Sequence, residues 1–150
     1  MSPCTLGKPD ASGRQLWAPC PREHASFEGL ERALETTLHP SIHGYYTRYW
    51  FPPVPALADD GQLELIGMWN KDDFESLQSN IIGHALQQRR RKLPLTVFFA
   101  LPLPESELCL SIENHTGAVV LEEAGSPPVR TICDSLVDFL NALEPDVGEP

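Results

Sequence analysis

Two histidines, His39 and His43, lie four residues apart, a spacing that on a continuous helix puts two imidazoles on one face as metal ligands. Pro40 stands between them and no third ligand is near in sequence, so surface or capping roles are expected of both, and no metal site. His84 could serve as a general base, but neither a nucleophile nor a carboxylate partner can be placed beside it from the sequence. A partly buried histidine bonded to the fold is the expectation, with Gly83 before it marking close packing against a neighbouring element. Asp72, Asp73 and Glu75 could form a catalytic carboxylate pair, yet at the start of a helix such residues cap orphan amides. No G-x-S-x-G, H-E-x-x-H, Walker or dinucleotide-binding pattern occurs, so neither catalysis nor a cofactor is expected.

Charge narrows the partners. The chain of 150 residues carries a net charge of −10, although Arg89, Arg90, Arg91 and Lys92 hold four of its eleven basic residues; the remainder is therefore 7 minus 21, or −14. Such a surface repels nucleic acid and anionic headgroups and suits a cationic protein. The basic run itself has a structural use at a helix C-terminus, where the dipole is negative. Tyr45, Tyr46, Tyr49, Trp50 and Phe51 form an aromatic group, part of it expected in the core and part suited to an interface. The four cysteines are far apart with no C-x-x-C pair, and no signal peptide is recognised before them, so reduced thiols in a cytoplasmic protein are expected. No apolar run approaches the roughly 20 residues of a membrane span.

The elements that must position these residues centre on Met68 to Leu101. Asn70 with Asp73 predicts a helix start in capping-box fashion, and Phe74, Leu77, Ile81, Ile82, Ala85 and Leu86 make one apolar stripe, leaving Glu75, Gln78, Gln87 and Gln88 outside. Pro94 closes the helix, and Thr96 to Leu101 reads as a buried strand. Ahead of it lie a helix from Ser26 to about Leu38, a short helix within Ser41 to Phe51, and strands near Val54–Ala58 and Gln62–Trp69 joined by a turn at Asp60 and Gly61. After it come strands Leu108–Glu113 and Ala118–Glu122 and a last helix of about Ile132 to Leu143. Hairpins outnumber crossovers. The fold expected is a single α+β domain, a mostly antiparallel sheet packed with helices, over residues 26–145. Residues 1–25, with four prolines and two glycines, are expected to be extended and partly ordered, with Trp17 as their anchor; residues 146–150 form a flexible acidic tail.

The run DDFESLQSNIIGHALQQRRRKLPLTVFFA, Asp72 to Ala100, resembles the signature of the Syd family of bacterial SecY-interacting proteins, in the SUKH superfamily. Leu38–Tyr46 (LHPSIHGYY), Leu110–Gly117 (LSIENHTG) and Ser135–Pro145 (SLVDFLNALEP) agree with it in order, so the resemblance covers most of the chain from about Phe27. The family has a further helical stretch ahead of the point matching Ser2, Pro3 and Cys4, which makes this chain either a truncated or a short member. The resemblance implies a SUKH-like fold and a peripheral protein on the cytoplasmic side of the inner membrane. In the family an acidic concave surface faces the basic cytoplasmic loops of SecY and senses or restrains incomplete translocons. The superfamily implies an alternative, an immunity protein that neutralises a toxin. The acids expected at the partner surface are those at turns and strand ends: Asp59, Asp60, Glu64, Asp72, Asp73, Glu113, Glu122 and Glu123.

Overall fold

Asn70, in extended conformation, accepts a hydrogen bond from the Asp73 amide at 3.0 Å, and Asp73 Oδ2 accepts from the Trp69 amide at 3.0 Å. Two orphan donors are thus met by two side chains. In the computed structural model, which describes residues 2–22, 25–59, 61–104, 106–123 and 125–146, the helix so capped runs Lys71–Arg90. It ends in a Schellman arrangement: Lys92 takes a left-handed φ of 59°, its amide bonds Arg89 O, and the Leu93 amide bonds Gln88 O. The stop therefore precedes Pro94.

The elements in chain order are β1 Thr5–Leu6, β2 Leu16–Trp17, β3 Cys20–Pro21, α1 Glu28–Leu34, α2 Pro40–Thr47, β4 Tyr49–Trp50, β5 Val54–Ala58 and β6 Gly61–Leu65. The capped helix is α3, followed by β7 Thr96–Pro102, β8 Leu108–Glu113, β9 Val119–Glu123, β10 Arg130–Cys133, α4 Leu136–Asn141 and β11 Glu144–Pro145. Seven strands form one sheet in the order β10-β9-β8-β7-β6-β5-β11, every neighbouring pair antiparallel. This is the α+β architecture expected from the hairpin spacing.

Two helix boundaries and one helix face differ from the sequence reading. Helix α1 stops at Leu34, because Glu35 turns left-handed and the Thr36 amide closes onto Glu31 O; Leu38 then reaches the core from a loop. The last helix loses its first turn to β10, where Thr131 pairs with Val120 and Cys133 with Val119 across a bulge, and Ser135 caps what remains by accepting from the Asp138 amide. Within α3, Leu86 is exposed while Gln88 is buried, since the Gln88 side chain finds polar partners inside and the Leu86 position faces water.

Register in the middle of the sheet depends on a bulge in β7 between Phe98 and Ala100. The carbonyls near it are met by consecutive tyrosines of α2: Tyr46 Oη donates to Phe98 O at 2.6 Å, and Tyr45 Oη lies 2.7 Å from Ile66 O and 3.1 Å from Phe99 O. Burial pushes both phenols above their ordinary range, which keeps them donors. Tyr45 and Tyr46 are therefore core, while Tyr49 is exposed.

The N-terminal strands form separate two-stranded pairings, β1 with β2 and β3 with β4. Trp17 is not the anchor, being exposed along with Leu16. Cys4 is buried instead, and the Arg22 guanidinium lies between the Trp50 ring (3.9 Å) and the Phe74 ring (4.2 Å) while donating to Tyr46 O. Stacked cation–π contacts of this kind hold a segment as firmly as a small apolar anchor. All four cysteines are free thiols.

Two glycines behave oppositely. Gly83 was expected to mark a close approach, but a Cβ there meets nothing within 4 Å, and the position is an exposed helix interior. At Gly67, next to the Phe51–Met68 bridge, a Cβ would fall 2.3 Å from the Pro52 carbonyl carbon. Accordingly, Gly83→Ala should stabilise the fold by about 1 kcal/mol through helix propensity. Gly67→Ala should cost about 2 kcal/mol or more through overpacking against backbone. Urea titration of both variants checks the opposite signs; equal effects would refute the assignment.

Candidate functional site

Strand β6 and the first turns of α3 flank a groove floored by β7 and by the segment that follows β6. Asp73, Ser76, Leu77 and Asn80 present one side of α3, at the i, i+3, i+4, i+7 spacing of a helical face. Glu64 and Leu101 supply the opposite side; they are direct cross-strand partners of β6 and β7 and so share one face of the sheet. Ile66, Met68 and Phe98 close the floor, and the cavity measures about 420 Å³. Among the residues lining it, both charged ones, Glu64 and Asp73, are acidic. Asp73 keeps its position because the Trp69 amide holds one of its oxygens.

Such an arrangement, carboxylates over an apolar floor, suits a lysine or arginine, whose aliphatic stem can lie on Phe98 and Leu101 while its charge meets the acids. Leu101 ends a run that reads as a buried strand, either on both faces or beneath the helix, yet it is 44% exposed. Its exposure was not legible, since nothing in TVFFAL separates the last position from the others. Of the α3 residues that line the groove, Asp73 was legible as a helix-start acid and Leu77 as part of the apolar stripe, whereas Ser76 and Asn80 carried no signal of their own.

The other expected acids do not join this groove. Asp72 is exposed on the first turn of α3, beside Asp73 in sequence. Asp59 lines a separate depression with Ile132, Cys133 and Leu143. Glu113 lies at the end of β8, where its Oε1 accepts from Thr116 Oγ1 at 3.2 Å; exposed Glu123 pairs with Leu108 at the opposite end of the β8–β9 ladder. Asp60 lies outside the described residues, as do residues 147–150 of the tail.

Glu122 requires a correction. It is 1% exposed, so its carboxylate is spent inside the protein rather than offered to a partner. Thr96 Oγ1 donates to Glu122 Oε1 at 2.5 Å, and His84 Nε2 lies 3.5 Å from the same oxygen and 3.3 Å from Thr96 Oγ1. Gln88 completes the cluster: its Nε2 donates to Thr96 Oγ1 at 2.9 Å and its Oε1 accepts from the Thr96 amide at 3.1 Å. His84 thus has a carboxylate neighbour from β9, invisible in sequence because 38 positions separate the two. Burial pushes the Glu122 carboxyl up, but hydrogen bonds from His84, Thr96 and Ser111 outweigh it and hold the group below its ordinary value. On the same face of the sheet, burial pushes the Cys109 thiol up. The His84 ring meets Phe98 edge-on at 5.8 Å, so this cluster adjoins the groove at Phe98.

His39, His43, Arg89 and Arg91 have structural partners. His39 caps α2, its Nδ1 accepting from the Ser41 amide, and its ring fills the space over Gly117; His43 Nε2 lies 3.4 Å from Glu31 Oε2. Arg89 donates to Leu34 O at the end of α1, and Arg91 to Gly125 O in the turn after β9.

Comparison with known proteins gives one family. A family model described as Syd protein (SUKH-2) matches residues 1–145. A protein Syd of Pseudoalteromonas atlantica is 43% identical over 96% of this chain and 78% of its own length. The protein Syd of Hahella chejuensis is 40% identical over 96% of this chain and 74% of its own length, and that of Colwellia psychrerythraea is 41% identical over 95% of this chain and 75% of its own.

The buried cluster sets an acid limit on stability. Because the Glu122 carboxyl is held below its unfolded value, its contribution is present above the ordinary carboxylate range and is lost as pH falls through the lower, folded value. Glu122→Gln should therefore flatten the fall in stability as pH drops below the ordinary carboxylate range, while costing about 2 kcal/mol at pH 7. Chemical denaturation across that range checks it, and parallel curves for the two proteins would count against the assignment.

Proposed function

The chain belongs to the Syd family, and from that premise we propose that its groove docks on the basic cytoplasmic loops of SecY. The protein then acts as a peripheral component at the cytoplasmic face of the inner membrane, sensing or restraining translocons that are incomplete. One observation carries this reading. The groove between β6 and α3 is concave and both of its charged lining residues are acidic, in a chain of net charge −10. Opposite potentials accelerate encounter and orient the partners, and they do so less as salt rises. Asp72, exposed at the rim of the same helix turn, adds to the field without being needed for the cap. Glu113 and Glu123 lie at the two ends of the β8–β9 ladder and contribute through the net charge rather than through the groove. Among the described residues no helix is long and apolar enough to cross a membrane.

Binding of the purified protein to nanodiscs with and without the SecY translocon, at low and at high salt, tests the reading. Association that requires SecY and weakens with salt is expected. Glu64→Lys should lower affinity about tenfold or more at low salt, since a like charge now faces the partner's cations. Asp72→Lys, which spares the Asn70–Asp73 cap, should act mainly on the association rate. Circular dichroism confirms that each variant is folded, and folded variants that bind as well as the parent would sink the proposal.

A further inference from the structure

An exposed leucine beside an acid is unneeded in a purely electrostatic dock. Leu101 is 44% exposed, although it lies in the middle strand of the sheet, and its cross-strand partner is Glu64. Side chains so paired have Cβ atoms about 5 Å apart, so the leucine and the carboxylate form one contact surface. The apolar surface does not end there, since half-buried Ile66 and Phe98 continue it along the floor of the same groove, next to the buried core residues Met68 and Leu77. Single exposed leucines are ordinary, but one continuous with an apolar concavity of about 420 Å³ falls in the range of built ligand sites.

We infer that the groove recognises a peptide segment carrying an apolar side chain beside its cation, the apolar group seated on Leu101 and Phe98 and the cation on Glu64 and Asp73. This deepens the docking reading given above and rests on it. Charge complementarity fixes the occupant as a basic segment, and the floor adds selection among basic segments. A uniformly polar basic loop would leave the floor wet, whereas one with a leucine, isoleucine or phenylalanine on the same face as its lysine or arginine would cover it. The two parts respond differently to salt. Attraction to Glu64 and Asp73 is screened within about 8 Å at physiological ionic strength, while apolar burial is not.

Two fluorescent peptides of equal length and equal lysine content test this, one with leucine and one with serine between the lysines, titrated by anisotropy from low to high salt. The leucine peptide should bind about tenfold tighter, the factor expected for covering one such side chain. Leu101→Ala should bring the two peptides towards parity by a similar factor at every salt concentration, and Leu101→Met should preserve the difference. Glu64→Gln should instead flatten the salt dependence for both peptides. Equal, salt-sensitive binding of the two peptides would overturn the apolar selection while leaving an acidic dock in place. Failure of both to bind the parent protein would overturn the inference and the reading beneath it together.

Discussion

The side chain of Thr96 is the fastening between the long helix and the sheet. Its hydroxyl donates to Glu122 on β9 and accepts from Gln88 on α3, and its amide donates to Gln88 as well. Three elements meet at one residue that is 1% exposed. In a dry interior each of these bonds is costly to lose, because its partner would be left buried and unsatisfied. A helix packed only through Phe74, Leu77, Ile81 and Ala85 could slide along the sheet at modest cost. Bonds of fixed length at Thr96 set its position, and with it the width of the groove that its first turns share with β6.

The distribution of charge follows from the same helix. Asp72 and Asp73 occupy its first turn and Arg89 and Arg90 its last, so the side chains agree with the helix dipole at both ends. At about 1.5 Å per residue, the helix holds the two groups roughly 25 Å apart, about three Debye lengths at physiological ionic strength. The basic end therefore does not neutralise the groove. Its cations are also engaged, Arg89 closing the end of α1 and Arg91 the turn after β9, which gives the only basic run a packing role.

What could be read from the sequence was local. The Asn70 cap, the apolar stripe of α3, the strand at Leu108–Glu113 and the antiparallel character of the sheet all follow from short-range spacing and turn chemistry. What failed was decided by distant partners. Gln88 reads as surface by periodicity and is buried because Thr96 receives it; Glu122 reads as a strand-end acid and is buried because His84 and Thr96 surround it. Of the groove, the acids Glu64 and Asp73 were legible as acids near a turn and a helix start. That they share one concavity depends on the β6–β7 register, which no local pattern encodes.

The ends of the large sheet bear on how the molecule behaves in company. Its outermost strands are β10, four residues long, and β11, two residues closed by Pro145. Short margins and a proline without an amide give an incoming chain little backbone to pair with, which opposes edge-to-edge aggregation. The groove, by contrast, opens beside β6 and β7, interior strands whose main-chain groups are already engaged on both sides. A visitor there cannot extend the sheet and must be held by its side chains alone, so recognition would turn on composition and spacing rather than on the visitor's readiness to become a strand.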